Sequence, residues 1–215
     1  MNIVIIDYGM GNLKNVQNAF DYLGYPSKIT GSYNDIERAS HLVLPGVGGF
    51  KDAMLTLKQK GLVEPVKAAI NSGKHFLGIC LGMQLLFETS EEFGHSEGLA
   101  VLKGKVVKFN EDNTPLIPHI GWNDIEILKQ ANEPAPSAAR GAGMFNGIKN
   151  NTFFYFLHSY YCVPEENITV ATCYYYEKFA ACIKKDNVFA CQFHPEKSHT
   201  GGLTLLKNFV LNYTD

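Results

Sequence analysis

The sequence predicts an α/β fold: a mostly parallel central sheet flanked by helices, with a smaller antiparallel or mixed sheet in the C-terminal half. Up to residue 73, short apolar runs alternate with helix-patterned segments, the order that builds a parallel sheet with right-handed crossovers. Beyond Glu92 the pattern changes to Tyr- and Val-rich segments of alternating polarity separated by turns, which read as antiparallel or mixed strands. The chain has 215 residues, enough for one large domain spanning 1–215 that buries roughly 70% of its unfolded surface.

Residues 1–6 form a continuous apolar run, as a strand buried on both faces does, and the run stops at Asp7. Gly9-Met10-Gly11-Asn12 then leads into a helix through Leu13, Val16, Phe20 and Leu23, closed by Gly24. This opening resembles a dinucleotide fingerprint but fails its test. Lys14 stands where the third glycine belongs, and no acidic residue follows at the required distance. A second short strand is expected at 27–30, a brief helix at 35–38 and a third strand at 41–44. Helices follow at 53–60 and 63–71, and Gly73 ends the second of them.

Further along, strands are expected at 105–109, 123–127, 152–161, 169–175, 180–184 and 187–193, with a closing amphipathic helix at 203–213. Residues 129–143 are rich in Ala, Pro, Gly and Ser and aperiodic, so they read as a surface loop.

Charge and composition exclude several classes of partner. The net charge is −2 and no Lys/Arg run exceeds two residues, so neither nucleic acid nor an anionic membrane is an expected partner. The N-terminus lacks a signal-peptide pattern and no apolar run approaches the ~18 residues of a membrane span, so a cytoplasmic protein is expected. Of the five cysteines, Cys162, Cys173, Cys182 and Cys191 have neither C-x-x-C pairing nor metal-ligand spacing and read as core thiols. No cofactor and no metal is expected.

The fifth cysteine is different. Residues 74–79 are an apolar run of strand length, and residues 83–88 carry strong helix formers, which puts Cys80 on the turn between strand and helix. Gly78 and Gly82 flank it two residues either side, as a turn too tight for a Cβ requires. The pattern matches a nucleophile elbow with sulfur in place of hydroxyl, seated in the field of a helix N-terminus, with the Leu81 N–H free to point at an oxyanion. Pro45-Gly46-Val47-Gly48-Gly49 is either a second oxyanion donor, through the backbone of Val47 or Gly48, or an ordinary strand-to-helix turn.

A base and an orienting group come from His194-Pro195-Glu196. Proline disfavours helix at His194, and residues two apart on an extended segment project to the same side, so an imidazole–carboxylate hydrogen bond is expected. His41, His75 and His95 have no sequence partner, and His199 reads as part of a Ser/Thr/Gly loop.

Gly78-Ile79-Cys80-Leu81-Gly82-Met83-Gln84 and His194-Pro195-Glu196 together resemble the Cys-His-Glu signature of class I (triad) glutamine amidotransferases, whose sheet is flavodoxin-like. Asp7-Tyr8-Gly9-Met10-Gly11-Asn12-Leu13, Leu44-Pro45-Gly46-Val47-Gly48, Pro118-His119-Ile120-Gly121-Trp122-Asn123 and His158-Ser159-Tyr160 are similar to the glutaminase subunits of imidazole glycerol phosphate synthase. The similarity runs nearly end to end; residues 129–143 look longer and richer in Ala and Pro than that family needs.

The resemblance implies hydrolysis of L-glutamine through a thioester on Cys80, with Gln84 and the backbone of Ser159 and Tyr160 gripping the substrate. It also implies a (β/α)8-barrel cyclase partner that receives the ammonia and makes imidazole glycerol phosphate. Docking and gating are expected at Gly9, Met10, Asn12, His119, Trp122, Asn123 and Lys197. From the residues alone, Trp122 is either an interface anchor or a cap on the core beneath its loop, and Lys197 could equally be a solvated charge. Rival readings are a paralogue feeding ammonia to a sugar-nucleotide partner, a catalytically silent activating scaffold, and a cysteine peptidase or deglycase on a similar sheet.

Overall fold

The structure is a computed structural model that describes residues 1–129 and 143–211. Its core begins with β1 (Ile3–Ile6), flanked in parallel by β2 (Ser27–Thr30) and β3 (His41–Gly46). β4 (His75–Cys80) pairs in parallel with β3, and β14 (Val188–Cys191) in parallel with β4. Three antiparallel strands extend this sheet: β13 (Glu177–Lys185), β12 (Thr169–Tyr175) and the short β9 (Glu126–Ile127). The resulting order is β2-β1-β3-β4-β14-β13-β12-β9.

Side-chain alternation explains why the first strand reads as unbroken apolar sequence. Val4 and Ile6 point into one hydrophobic cluster and Ile3 and Ile5 into another on the opposite face. Helices cover both faces: α1 (Leu13–Tyr22), α2 (Tyr33–Arg38), α3 (Phe50–Gln59), α4 (Val63–Asn71) and α6 (His199–Leu211). The Asn12 side chain accepts the Asn15 N–H at the start of α1, and Val16, Ala19 and Phe20 form its buried stripe.

Two small sheets stand apart from the central one. β8 (His119–Asp124) pairs antiparallel with β10 (Phe153–His158). The other runs β11-β7-β5-β6, made of β5 (Phe87–Ser90), β6 (Ser96–Glu97), β7 (Leu102–Lys108) and β11 (Tyr160–Pro164).

Several expectations are corrected. The helix expected at 83–88 is only α5 (Leu81–Gln84), after which the chain extends into β5. Leu85, Leu86 and Phe87 are all fully buried, and three successive apolar residues cannot share the single stripe of a helix. The run at 152–161 breaks at Ser159 and serves two different sheets. His199 lies at the start of α6, not in a loop. The antiparallel strands β12 and β13 belong to the central sheet itself. Most of the loop expected at 129–143 lies outside the described residues.

Candidate active site

Cys80 ends β4 with φ 53° and ψ −110°, a region that L-residues rarely occupy. Such a residue stores strain of about 1–3 kcal/mol and persists only where its surroundings over-determine it. Here they do. A Cβ on Gly78 would lie 2.9 Å from the Gly82 carbonyl oxygen, and one on Gly82 would collide with the Leu44 carbonyl. The flanking glycines are thus required by backbone packed on backbone. A Cβ on Gly46, the β3 residue aligned with Cys80, would strike the buried Tyr8 hydroxyl. With α5 only four residues long, the helix-terminus field at the sulfur is smaller than the sequence pattern suggested.

Because β3, β4 and β14 are parallel neighbours, their C-terminal ends share one edge, where ligands of such sheets bind. β3 delivers Val47 and Gly48 there, β4 delivers Cys80 and Leu81, and the residues after β14 deliver Gln192 and His194. As the first residue of α5, Leu81 has an N–H with no intrahelical partner. Gly48 adopts φ +96°.

His194 Nδ1 and Glu196 Oε1 lie 2.8 Å apart, both side chains almost wholly buried. His194 itself is extended, as expected, with φ −100° and ψ 96°, but the segment does not stay so: Pro195–Lys197 form a turn of 3-10 helix, from which Glu196 reaches the ring. Backbone anchors hold the ring, since the His194 N–H donates to the Tyr155 carbonyl and the Ser198 hydroxyl donates to the His194 carbonyl. Burial alone would depress the imidazole, but the Cys80 sulfur and then the Glu196 carboxylate outweigh it and raise its pKa to about 10. Nε2 makes no hydrogen bond of good geometry in this resting state, although the sulfur is near enough to act on it electrostatically.

A cavity of about 240 Å³ opens over Cys80. Val47, Gly48 and Leu81 line one side, and Leu157, His158, Ser159 and Tyr160 another, with Gln84, Glu92 and Pro118 completing it. The structure therefore gathers Cys80, the expected oxyanion residues and the expected glutamine contacts around one space. Gln84 enters with a restriction. Its Nε2 donates to the Tyr160 carbonyl (2.9 Å) and to Gln192 Oε1 (3.1 Å), so its side-chain donors are spent on the protein and its oxygen alone remains for a ligand.

Sequence reasoning missed two residues here. Glu92 lines the cavity and accepts the Phe50 N–H at the start of α3; burial raises its pKa, and that N–H opposes the rise. Nothing local announces this contact, which joins residues 42 positions apart. Gln192 donates through Nε2 to the Cys80 sulfur at 3.6 Å. Its signal was available: it stands two residues before His194 at a strand end, hence on the same side.

The expected docking residues divide. His119 is corrected: it is buried, stacked between Tyr175 and Phe156, with Nδ1 3.1 Å from His158 Nε2, so it supports the cavity wall and does not face a partner. It alternates inward on β8, while Ile120 and Trp122 alternate outward. Trp122 is 44% exposed and stacks on His199, which removes the core-cap alternative. Asn123 donates to the Tyr174 carbonyl, and Lys197 Nζ sits 5.5 Å above the Tyr155 ring. Gly9 and Asn12 are exposed, and Met10 packs partly against the core. Cys162, Cys173, Cys182 and Cys191 are buried free thiols, each with its pKa raised by burial first, as core cysteines are.

No described helix is long and apolar enough to cross a membrane. Comparison with known proteins agrees with the geometry. The family model described as glutamine amidotransferase class-I matches residues 4–213. A protein of Syntrophotalea carbinolica named imidazole glycerol phosphate synthase subunit HisH is 48% identical, covering 96% of this chain and 98% of its own. Its namesake from Caldanaerobacter subterraneus subsp. tengcongensis is 49% identical, covering 96% of each. Among solved structures, one described as glutamine amidotransferase superposes with a TM-score of 0.73 at 17% identity, over 98% of this chain and 99% of that one. PurLQS from Thermotoga maritima superposes at 0.72 and 17% identity, over 97% of each chain; these two likenesses speak for the fold alone. With a family model spanning nearly its whole length, curated relatives near half identity and a strained cysteine at the elbow of a parallel sheet, this chain belongs to the class-I glutamine amidotransferases.

Proposed function

We propose that the chain, as a single amidotransferase domain, is the glutaminase subunit of a cytoplasmic imidazole glycerol phosphate synthase. It would hydrolyse L-glutamine and pass the ammonia to a (β/α)8-barrel cyclase that makes imidazole glycerol phosphate and aminoimidazole carboxamide ribotide in histidine biosynthesis. The observation that carries the chemistry is the strained Cys80 at the base of a cavity, with a buried His194–Glu196 pair whose imidazole the sulfur itself helps to keep protonated. The names of the relatives carry the pathway.

In this reading the Cys80 sulfur attacks the side-chain amide carbon. The Leu81 N–H and a backbone N–H from Val47 or Gly48 receive the developing oxyanion. His194 gives its proton to the departing nitrogen as the carbon–nitrogen bond breaks, leaving a thioester and ammonia. Water then loses a proton to His194 and attacks the thioester; the carbon–sulfur bond breaks, glutamate leaves with its new carboxyl proton lost to solvent, and the sulfur anion again faces a protonated His194. Glu196 holds the ring and offsets the imidazolium charge. Glu92 in the cavity lining suits the α-ammonium group of the amino acid, while the Gln84 oxygen and the backbone at Ser159 and Tyr160 position the rest.

Ammonia released into water at neutral pH is protonated and lost to the acceptor, so such a subunit is useful only when docked. Gly9 to Asn12, Trp122, Asn123 and Lys197 are the surface we assign to that docking, and Pro45 to Gly48 the segment whose peptide orientation gates the rate. A missing oxyanion donor costs about 10²–10³ in rate, enough to hold the free subunit nearly idle. The test is to co-purify the chain with a barrel cyclase and measure glutamate release with and without the cyclase's ribulosyl aminoimidazole nucleotide. Strong stimulation by the loaded partner is expected, and Cys80→Ser should abolish release. Equal rates in all states would remove the gating, and release that survives Cys80→Ser would remove the mechanism.

A further inference from the structure

We propose that Gln192 is a catalytic hydrogen-bond donor to the Cys80 sulfur, its amide locked in the donating orientation by Gln84 and the Tyr160 carbonyl. The proposal rests on the nucleophilic role given to Cys80 above and adds a residue to that step.

The orientation follows from one fixed acceptor. A backbone carbonyl can only accept, so the Gln84 atom 2.9 Å from the Tyr160 oxygen is its amide nitrogen. That nitrogen also meets the Gln192 side chain at 3.1 Å, so the atom it meets is the Gln192 oxygen. The Gln192 nitrogen is then left facing the Cys80 sulfur at 3.6 Å. Rotating the Gln192 amide by half a turn would set nitrogen against nitrogen at Gln84 and an oxygen lone pair against the sulfur. The Gln192 backbone is pinned as well, its N–H donating to the Ala181 carbonyl at 2.9 Å, and the side chain is fully buried. Neither its reach nor its direction is left to solvent.

Such a donor discriminates between the two forms of the sulfur. A thiol can send its proton to the Leu157 carbonyl, 3.8 Å away, and accepts only weakly. A thiolate has no proton to give that carbonyl, and it gains from every N–H aimed at it. Gln192 thus supports the anion independently of His194, without itself gaining or losing a proton. That independence is useful, because His194 must part with its proton during the reaction while the amide stays in place.

The test is the pH profile of Cys80 alkylation by iodoacetamide on the intact chain, with the labelled position identified by mass spectrometry. In the wild type, Cys80 should react ahead of the four core thiols. Gln192→Met, which keeps the length and removes the donor, should displace the profile upward by about one to two pH units, slowing alkylation about tenfold or more below the midpoint. Gln192→Glu, nearly isosteric, should displace it in the same direction and serves if the methionine variant folds poorly. Gln84→Leu, which frees the amide to rotate, should give a smaller displacement of the same sign. Profiles of the Gln192 variants that coincide with the wild type would overturn the proposal while leaving Cys80 as nucleophile. A wild type that does not label selectively at position 80 would overturn both.

Discussion

Two buried histidine environments sit within the same half of the molecule and behave in opposite ways. His194 is raised to about 10, whereas His119 is lowered to about 4 and His158 to about 3. All three lose solvent, which by itself disfavours an imidazolium. His119 and His158 meet aromatic rings and each other, so burial decides their state. His194 meets the Cys80 sulfur and the Glu196 carboxylate, and their attraction reverses the sign. Proton chemistry here is thus assigned by the neighbouring anions and not by depth.

The hydrogen bonds tell the same story in tautomers. Asn123 Nδ2 donates to the Tyr174 carbonyl, so it also acts as the donor towards His119 Nε2. His119 then carries its proton on Nδ1 and gives it to His158 Nε2, and His158 Nδ1–H gives to the Tyr160 carbonyl. Every step requires neutral rings. The pair is a fixed wall beside the cavity, ending on the same carbonyl that orients Gln84.

The largest test of this contrast is Cys80→Ala. Glutamine hydrolysis should disappear, and the His194 titration, followed by NMR on the ring protons, should fall from about 10 towards 6.5 because the larger anionic influence has gone. A midpoint left near 10 would show that Glu196 alone sustains it. Next in size is Glu196→Gln, which keeps the shape and removes the charge. It should lower kcat by about 10²–10⁴-fold with little change in KM, since the ring loses its orienting anion but the cavity is untouched.

The smallest effect is on stability. A lowered histidine pKa penalises the folded state once the unfolded chain takes up protons, so His119 and His158 should reduce stability as pH falls from 6.5 towards 4 and 3, by on the order of 2 kcal/mol each at pH 5. His194 contributes in the other direction: its share is complete below 6.5 and is lost as pH rises through 10. In His119→Phe, which suits the slot between Tyr175 and Phe156, the drop in urea midpoint between pH 7 and pH 5 should shrink by about a third, because His158 and the buried His41, also lowered to about 4, keep their shares. An unchanged drop would mean that His119 is protonated with little penalty in the fold.

The same contrast separates what local sequence can and cannot show. The elbow was legible because its determinants lie within nine residues, 74–82: an apolar strand, a glycine on each side, and a cysteine at the break. The His194–Glu196 pair was legible because its partners are two positions apart, although the 3-10 turn at Pro195–Lys197 was read as extended chain. The helix at 83–88 was misread because amphipathic spacing says nothing about a strand, β7, waiting to pair with Phe87. His119 was misplaced because a histidine between Pro118 and Gly121 reads as part of an exposed loop until β10 pairs with β8 and turns it inward.

What the sequence by itself determined is therefore the backbone chemistry: which residue sits at the turn, which strands are buried on both faces, and which side chains can touch without help from elsewhere. The parallel order already put Cys80 and the Val47–Gly48 segment at one edge; only the tertiary structure decided that His194 and Gln192 join them there, and which way each amide and imidazole points. Turn geometry is governed by sterics between near neighbours, whereas protonation and hydrogen-bond direction depend on groups tens of residues away that meet only when β3, β4 and β14 align.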